Sequence, residues 1–149
     1  MIDLKTNKIK DVIFDLDEIL RFDGETGPYV QYTYVRTKSI LSKANFNEKN
    51  IDINTIKFEL LNSKDEVELI KLLDKLSEII KRAAEEYEPS ILARYLIDVS
   101  SQFSRFYSNQ QVLTQDYNLK NARCLLVYAT GIVIKKGLAI LGIEVPDKM

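Results

Sequence analysis

From residue 64 to residue 141 the apolar side chains recur every three or four positions in three long blocks, and that spacing suits a helical bundle. In the first block Ile70, Leu73, Leu76, Ile80, Ala83 and Tyr87 fall on one face, which predicts a helix over about 64–87. Just ahead of it, Ser63-Lys64-Asp65-Glu66 matches a capping box, in which Ser63 and Glu66 each satisfy an orphan backbone donor. Pro89 opens the second helix, which runs to about residue 110 with Leu92, Tyr95, Leu96, Val99, Phe103 and Phe106 as its apolar stripe. Asn118 is the expected N-cap of the last helix. Its inward positions are Ala122, Leu125, Leu126, Ala129, Val133 and Leu138. Gly142 supplies a left-handed stop, and Pro146 prevents the helix from restarting.

Upstream, residues 29–44 (YVQYTYVRTKSILSKA) read as a further helix, with Val30, Tyr34, Thr37 and Leu41 at helical spacing and Pro28 in the first turn. Residues 45–62 are polar and rich in Asn, then apolar, and read as a linker followed by an irregular or short helical stretch. Gly24, Gly27 and Pro28 mark a turn-rich loop, FDGETGPY. No strand is required, although KDVIFDL (10–16) has the composition of one. The expected fold is all-α, a helical bundle forming a single domain over 1–149.

Composition narrows the chemistry. Hydrophobic residues make up 46% of the chain, enough for a real core, and no apolar run approaches the roughly 18 residues of a membrane span. The N-terminus lacks the apolar stretch of a signal peptide, so no membrane partner and a cytoplasmic location are expected. The lone cysteine, Cys124, lies in an apolar stretch and reads as a small core residue. The chain has no histidine, which removes the usual general base and the commonest metal ligand. With a net charge of −1, any nucleic acid must be held by a local patch, with aromatic stacking adding to phosphate contacts.

Catalytic patterns find little support. In DVIFDLDEIL (11–20), Asp15 and Asp17 have the spacing of the first motif of haloacid-dehalogenase phosphatases. That motif needs Thr or Val where this chain has Ile19, a following Gly, and an α/β pattern that the helical remainder lacks. Asp15 and Asp17 read instead as charge and capping at the start of a short helix. No Gly-rich phosphate loop appears, and no carboxylate set has metal-ligand spacing.

FDGETGPYVQYTYVR (22–36) closely resembles the F-[DE]-G-x-T-G-P-Y-x-Q-Y-x-x-x-R segment of arginyl-tRNA synthetases, through Phe22, Asp23, Gly24, Thr26, Gly27, Pro28, Tyr29, Gln31, Tyr32 and Arg36. Residues 85–113 resemble that family's anticodon-binding signature, E-P-x-x-[LI]-[AC]-R-[YF]-L. Its D-A-L-R core appears here as Ile91-Leu92-Ala93-Arg94, so the first two letters differ. The tail, NARCLLVYATGIVIKKGLAILGIEVPDKM (121–149), is similar to the family's ending. The resemblance covers nearly the whole chain except 45–62. It implies the C-terminal, DALR-type anticodon-binding helical domain of a class I synthetase.

By that resemblance, Tyr29, Tyr32, Tyr107 and Met149 match positions that bind anticodon-loop nucleotides. The loop of Phe22, Asp23, Gly24, Glu25, Thr26 and Gly27 matches the one that approaches the anticodon loop. The residues also make physical sense: unpaired bases are read by stacking on aromatic rings and by hydrogen bonds to their edges. Eight residues are Tyr and none is Trp. Tyr29 and Tyr32 lie three apart on one helical face, and Arg36, one turn further, can present a cation to a base or phosphate. Arg94 reads as a structural ion pair. Arg105, Lys135 and Lys136 read as solvated charges that can also meet phosphates.

The HxGH-like and KMSKS-like motifs of a class I catalytic domain are absent. The resemblance therefore implies that adenylation, with ATP and Mg, belongs to upstream residues, and that this stretch takes no cofactor. Residues 1–21 are expected to form the junction with that catalytic domain. The expected partners are the anticodon stem-loop of arginine tRNA and the upstream catalytic domain. The alternative is a helical protein-interaction module without RNA binding, which the near-neutral charge favours.

Overall fold

The structure, a computed structural model, describes residues 26–146. The 10–16 strand candidate, the Asp15/Asp17 motif, the 1–21 junction, loop residues Phe22 to Glu25, and Met149 lie outside the described residues. Among the described residues there are five α-helices and no strand: α1 (Gly27–Lys43), α2 (Lys64–Asp74), α3 (Leu76–Glu85), α4 (Pro89–Asn109) and α5 (Tyr117–Ile140). Residues 45–62 form three short 3-10 turns, Glu48–Asn50, Ile53–Thr55 and Phe58–Leu60. Asn47 and Asp52 cap the first two with their side chains, which is why a polar, Asn-rich stretch holds a shape without a long helix.

Helix α4 lies at the centre, in contact with each of the other four helices, and α1 also packs along α5. All six residues of its expected stripe are buried. The core has two parts. One gathers Ile40, Leu69, Phe103, Phe106, Ala122 and Val127. The other gathers Val30, Leu92, Leu96, Val99, Ile134 and Leu138. The α4–α5 approach is close at Gly137, where a Cβ would lie 2.5 Å from Leu96 Cδ2. Cys124 is buried in the first part, and burial pushes its thiol pKa up, against a smaller opposing pull from Lys120, so it is held as an inert thiol.

The capping box forms as the sequence suggests: Ser63 Oγ accepts from Glu66 N at 3.3 Å, and Glu66 Oε2 accepts from Ser63 N at 2.9 Å. Glu66 does more than cap. It is fully buried, and its Oε1 accepts from Arg123 Nε at 2.7 Å. Arg123 also donates from Nη1 to the Gln111 carbonyl at 2.9 Å and from Nη2 to Gln110 Oε1 at 2.8 Å. This network joins the start of α2, the end of α4 and the first turns of α5. Burial alone would raise the Glu66 pKa; the hydrogen bonds from Ser63 and Arg123 outweigh it and hold the carboxyl below its ordinary value.

Three expectations need correction. The single helix over 64–87 is two helices, broken at Lys75, whose N–H donates to the Leu72 carbonyl in a tightened turn. The break lets α2 and α3 both follow α4, and the buried Tyr95 hydroxyl donates to the Leu72 carbonyl at 2.9 Å. The inward face expected for that helix also fails at two places: Ile70 is 41% exposed and Tyr87 is 83% exposed. Glu88 precedes Pro89 and avoids the helical region, so the chain must leave the helix before it. Tyr87 takes φ 52° and closes a Schellman turn, with Tyr87 N on the Ala84 carbonyl and Glu88 N on the Ala83 carbonyl. Finally, the N-cap of α5 is Asp116, not Asn118. Its carboxylate accepts from Asn118 N and Leu119 N, a placement that its charge favours at a helix N-terminus.

Gly142 ends α5 with φ 72°, as its position suggests. The same turn ends α1 at Asn45 with φ 53°. On α5, Leu125 and Ala129 are only partly buried, while Arg123, Val127, Thr130 and Ile134 are buried as well. The buried arc is wider than one stripe because α1, α2 and α4 all contact this helix.

Candidate nucleic-acid interface

The site is built on α1 and α4. Thr26, 3% exposed, caps α1 by accepting from Tyr29 N at 3.3 Å, and Gly27 and Pro28 occupy the first turn. This fixes where α1 starts, and so the direction of the side chains that follow. Tyr29, Tyr32 and Arg36 then fall three and four residues apart on one side of the helix. Thr33, Thr37 and Ile40, on the neighbouring arc, are buried and hold that helix against the bundle.

Two of the three reach α4. The Tyr29 hydroxyl lies 3.1 Å from Ser104 Oγ. The Arg36 guanidinium carbon lies 4.3 Å from the centre of the Tyr107 ring, a cation–π contact. Tyr107 in turn stacks on Phe103, with ring centres 6.3 Å apart and planes 19° apart, and Phe103 is fully buried. The Tyr107 ring is thus fixed from the core while remaining partly exposed. Tyr32 is 41% exposed. Tyr29 and Arg36 are half-buried. Tyr29, Arg36 and Tyr107 line a seam between α1 and α4, and Tyr32 lies exposed on the same side of α1.

The remaining basic candidates do not join this seam. Arg105, on α4, lines a small polar groove with Glu68, Leu72, Asp98 and Gln102. Lys135 lies beside Tyr34, Ala139 and Glu144 near the end of α5. Lys136 is exposed on α5. Arg94 is exposed on α4, with Nη2 3.4 Å from Ser90 Oγ. Among the described residues no group of three His, Cys, Asp or Glu side chains is placed to hold a metal ion, and no helix is long and apolar enough to cross a membrane.

Sequence reasoning passes over Phe103 and Ser104 as supports of the site. Their signal is present only as a register: Phe103 and Tyr107 are four apart on α4, where side chains of one helix meet. It also passes over the contact of Gln31, whose Nε2 donates to the Glu144 carbonyl at 2.7 Å and so ties the segment after α5 to α1.

Comparison with known families settles the lineage. A family model described as the DALR anticodon binding domain matches residues 30–149. The chain belongs to the DALR anticodon-binding domain family. Among similar proteins, this DALR domain is 44% identical over 147 residues to the arginine–tRNA ligase of Halothermothrix orenii, covering 99% of the chain and 25% of the relative. Among solved structures, the arginyl-tRNA synthetase of Thermus thermophilus superposes with a TM-score of 0.84 at 33% identity, over 98% of this chain and 25% of that one. The arginyl-tRNA synthetase of Plasmodium falciparum gives a TM-score of 0.88 at 29% identity, over 99% of this chain and 26% of that one. The DALR domain therefore spans about a quarter of the length of these relatives.

Proposed function

We propose that this DALR domain recognises the anticodon loop of arginine tRNA as the C-terminal part of an arginine–tRNA ligase. The observation that carries the proposal is the α1–α4 seam, where Arg36 lies over the Tyr107 ring, the Tyr29 hydroxyl meets Ser104, and the exposed Tyr32 shares the same side of α1. Splayed bases need such a surface: flat faces to stack on, and donors and acceptors for their edges. The family and the arginine–tRNA ligase relatives support the same reading.

In this role the domain performs no bond chemistry. It binds and orients the tRNA, so that the acceptor end sits near the adenylate made with ATP and Mg on an upstream catalytic domain. The whole enzyme would act in the cytoplasm, with residues 1–21 as the junction. Met149 and the loop from Phe22 to Gly27 would add to the nucleotide contacts; for Thr26 and Gly27 the contribution is also to set the start of α1.

The second reading, a protein-interaction module, draws on the net charge of −1 and on an apolar groove of about 560 Å³ lined by residues including Ile53, Phe58, Ile70, Leu125 and Ile132. A filter-binding titration with arginine tRNA and a non-cognate tRNA separates the two. Selective, salt-dependent retention supports anticodon recognition. Absent retention of both tRNAs supports the interaction module, and equal retention of both counts against selective anticodon recognition.

A further inference from the structure

We infer that Ser104 is a positioning residue: its hydroxyl braces the Tyr29 ring across the α1–α4 seam, so that an anticodon-loop base meets a ring already set in place. This rests on the anticodon-loop reading for its purpose, but the brace itself stands on separate geometry. The Tyr29 backbone is held at both of its polar groups. Its N–H donates to Thr26 Oγ1 at 3.3 Å, and its carbonyl accepts from Thr33 Oγ1 at 2.9 Å. Thr26 and Thr33 are both buried, so the Tyr29 backbone is fixed from the bundle. What remains is the swing of the side chain. The hydroxyl at its far end lies 3.1 Å from Ser104 Oγ, 75 residues away in sequence.

Ser104 gives up the usual bond of a helical serine for this contact. A serine or threonine inside a helix commonly turns its hydroxyl back on the carbonyl four residues earlier. Ser100, on the same helix, donates to the Leu96 carbonyl at 2.8 Å, and Thr130, on α5, donates to the Leu126 carbonyl at 2.8 Å. Among the described residues the Ser104 hydroxyl has Tyr29 as its hydrogen-bond partner instead. Both residues are half-buried, so core packing alone does not fix the ring. Ser104 also lies three residues before Tyr107, on the same side of α4. Its neighbour Phe103 stacks on Tyr107. Adjacent residues of one helical turn thus brace two rings of the seam, one by a hydrogen bond and the other by stacking. A ring held in place before binding loses less freedom when a base stacks on it, and the difference appears as affinity.

The test uses the 149-residue chain, Ser104→Ala, Tyr29→Phe, the two together, and Ser104→Thr, which keeps the hydroxyl. Two readouts are taken: affinity for an arginine-tRNA anticodon stem-loop RNA and, without RNA, the fluorine NMR signal of 3-fluorotyrosine incorporated at Tyr29. One lost hydrogen bond corresponds to a change of about fivefold. Ser104→Ala and Tyr29→Phe should each weaken stem-loop binding by about that factor at unchanged helicity. The double variant should bind no worse than either, because the two residues share one bond. Ser104→Thr should restore binding. The fluorine signal should shift in Ser104→Ala and move back in Ser104→Thr. An unchanged signal in Ser104→Ala overturns the brace. Unchanged affinity in that variant overturns the positioning role, as do losses that add in the double variant, because Ser104 would then act on RNA or on folding apart from Tyr29. Binding by Ser104→Thr no better than by Ser104→Ala overturns it too, since the hydroxyl would not be the cause. If the unaltered chain does not bind the stem-loop, the anticodon reading falls, and the fluorine signal still decides the brace.

Discussion

Glu66 and Arg123 form a buried ion pair, 2.7 Å from Oε1 to Nε, between the first turn of α2 and the second turn of α5. Both charges are withdrawn from water, so each depends on the other. Removing one partner leaves an uncompensated buried charge, which costs about 3–5 kcal/mol. Arg123→Leu should therefore lower the unfolding free energy by about that amount in a urea titration, with little change in helical content at zero denaturant.

The same pair predicts acid sensitivity of one sign. Glu66 is held below the ordinary carboxylate value in the folded chain, so its stabilising contribution is complete above that value. As pH falls, the unfolded chain takes up its proton first, and the contribution is lost through the lower, folded value. Thermal unfolding midpoints measured below neutrality should show this fall for the unaltered chain and a smaller one for Arg123→Leu.

Tyr95 gives the opposite case at high pH. Burial pushes its pKa up to about 12, against an ordinary value of about 10. The neutral phenol is the form the fold stabilises, so that contribution is intact below about 10 and is lost as pH rises towards about 12. Tyr95→Phe removes the hydroxyl bond to the Leu72 carbonyl and should cost about 1 kcal/mol at neutral pH. It should also flatten the alkaline decline in the unfolding midpoint.

Tyr87 occupies the left-handed position of a Schellman turn, at φ 52°, with 83% of its surface exposed. A side chain in that conformation costs about 1–2 kcal/mol, which glycine avoids. Tyr87→Gly should raise stability by about 1 kcal/mol in a denaturant titration, since little packing is lost with the exposed ring.

How far the sequence speaks for the fold depends on whether the cause is local. The α4 stripe, the Ser63–Glu66 capping box and the Gly142 stop each follow from a few adjacent residues, and each appears in the structure. The break at Lys75 has no Gly or Pro to announce it; it serves the path of two helices along α4. Asp116 and Asn118 are both good cap formers two positions apart, so residue type alone does not choose between them. The buried role of Arg123 has no local signal, because its partners Glu66, Gln110 and Gln111 come from other parts of the chain. The candidate site divides the same way. Tyr29, Tyr32 and Arg36 share a face by helical arithmetic, whereas Ser104 beside Tyr29, and Arg36 over Tyr107, are tertiary neighbours.

Tyr107 is the seam's best supported ring, with Phe103 stacked on it and Arg36 above it. Tyr107→Ala should weaken binding of arginine tRNA by about 1–3 kcal/mol, the scale of one base–aromatic stack. Because Arg36 rests on that ring, Arg36→Ala and Tyr107→Ala should be non-additive in a double-mutant cycle.

The most direct measurement is the affinity of the 149-residue chain for an arginine-tRNA anticodon stem-loop relative to the same stem carrying a scrambled loop, taken over a range of salt. Anticodon recognition predicts tighter binding of the arginine loop. It also predicts that the preference persists as salt weakens both complexes, because stacking and base-edge contacts outlast phosphate attraction. Equal affinity for the two loops, with the helical fold intact, would contradict it.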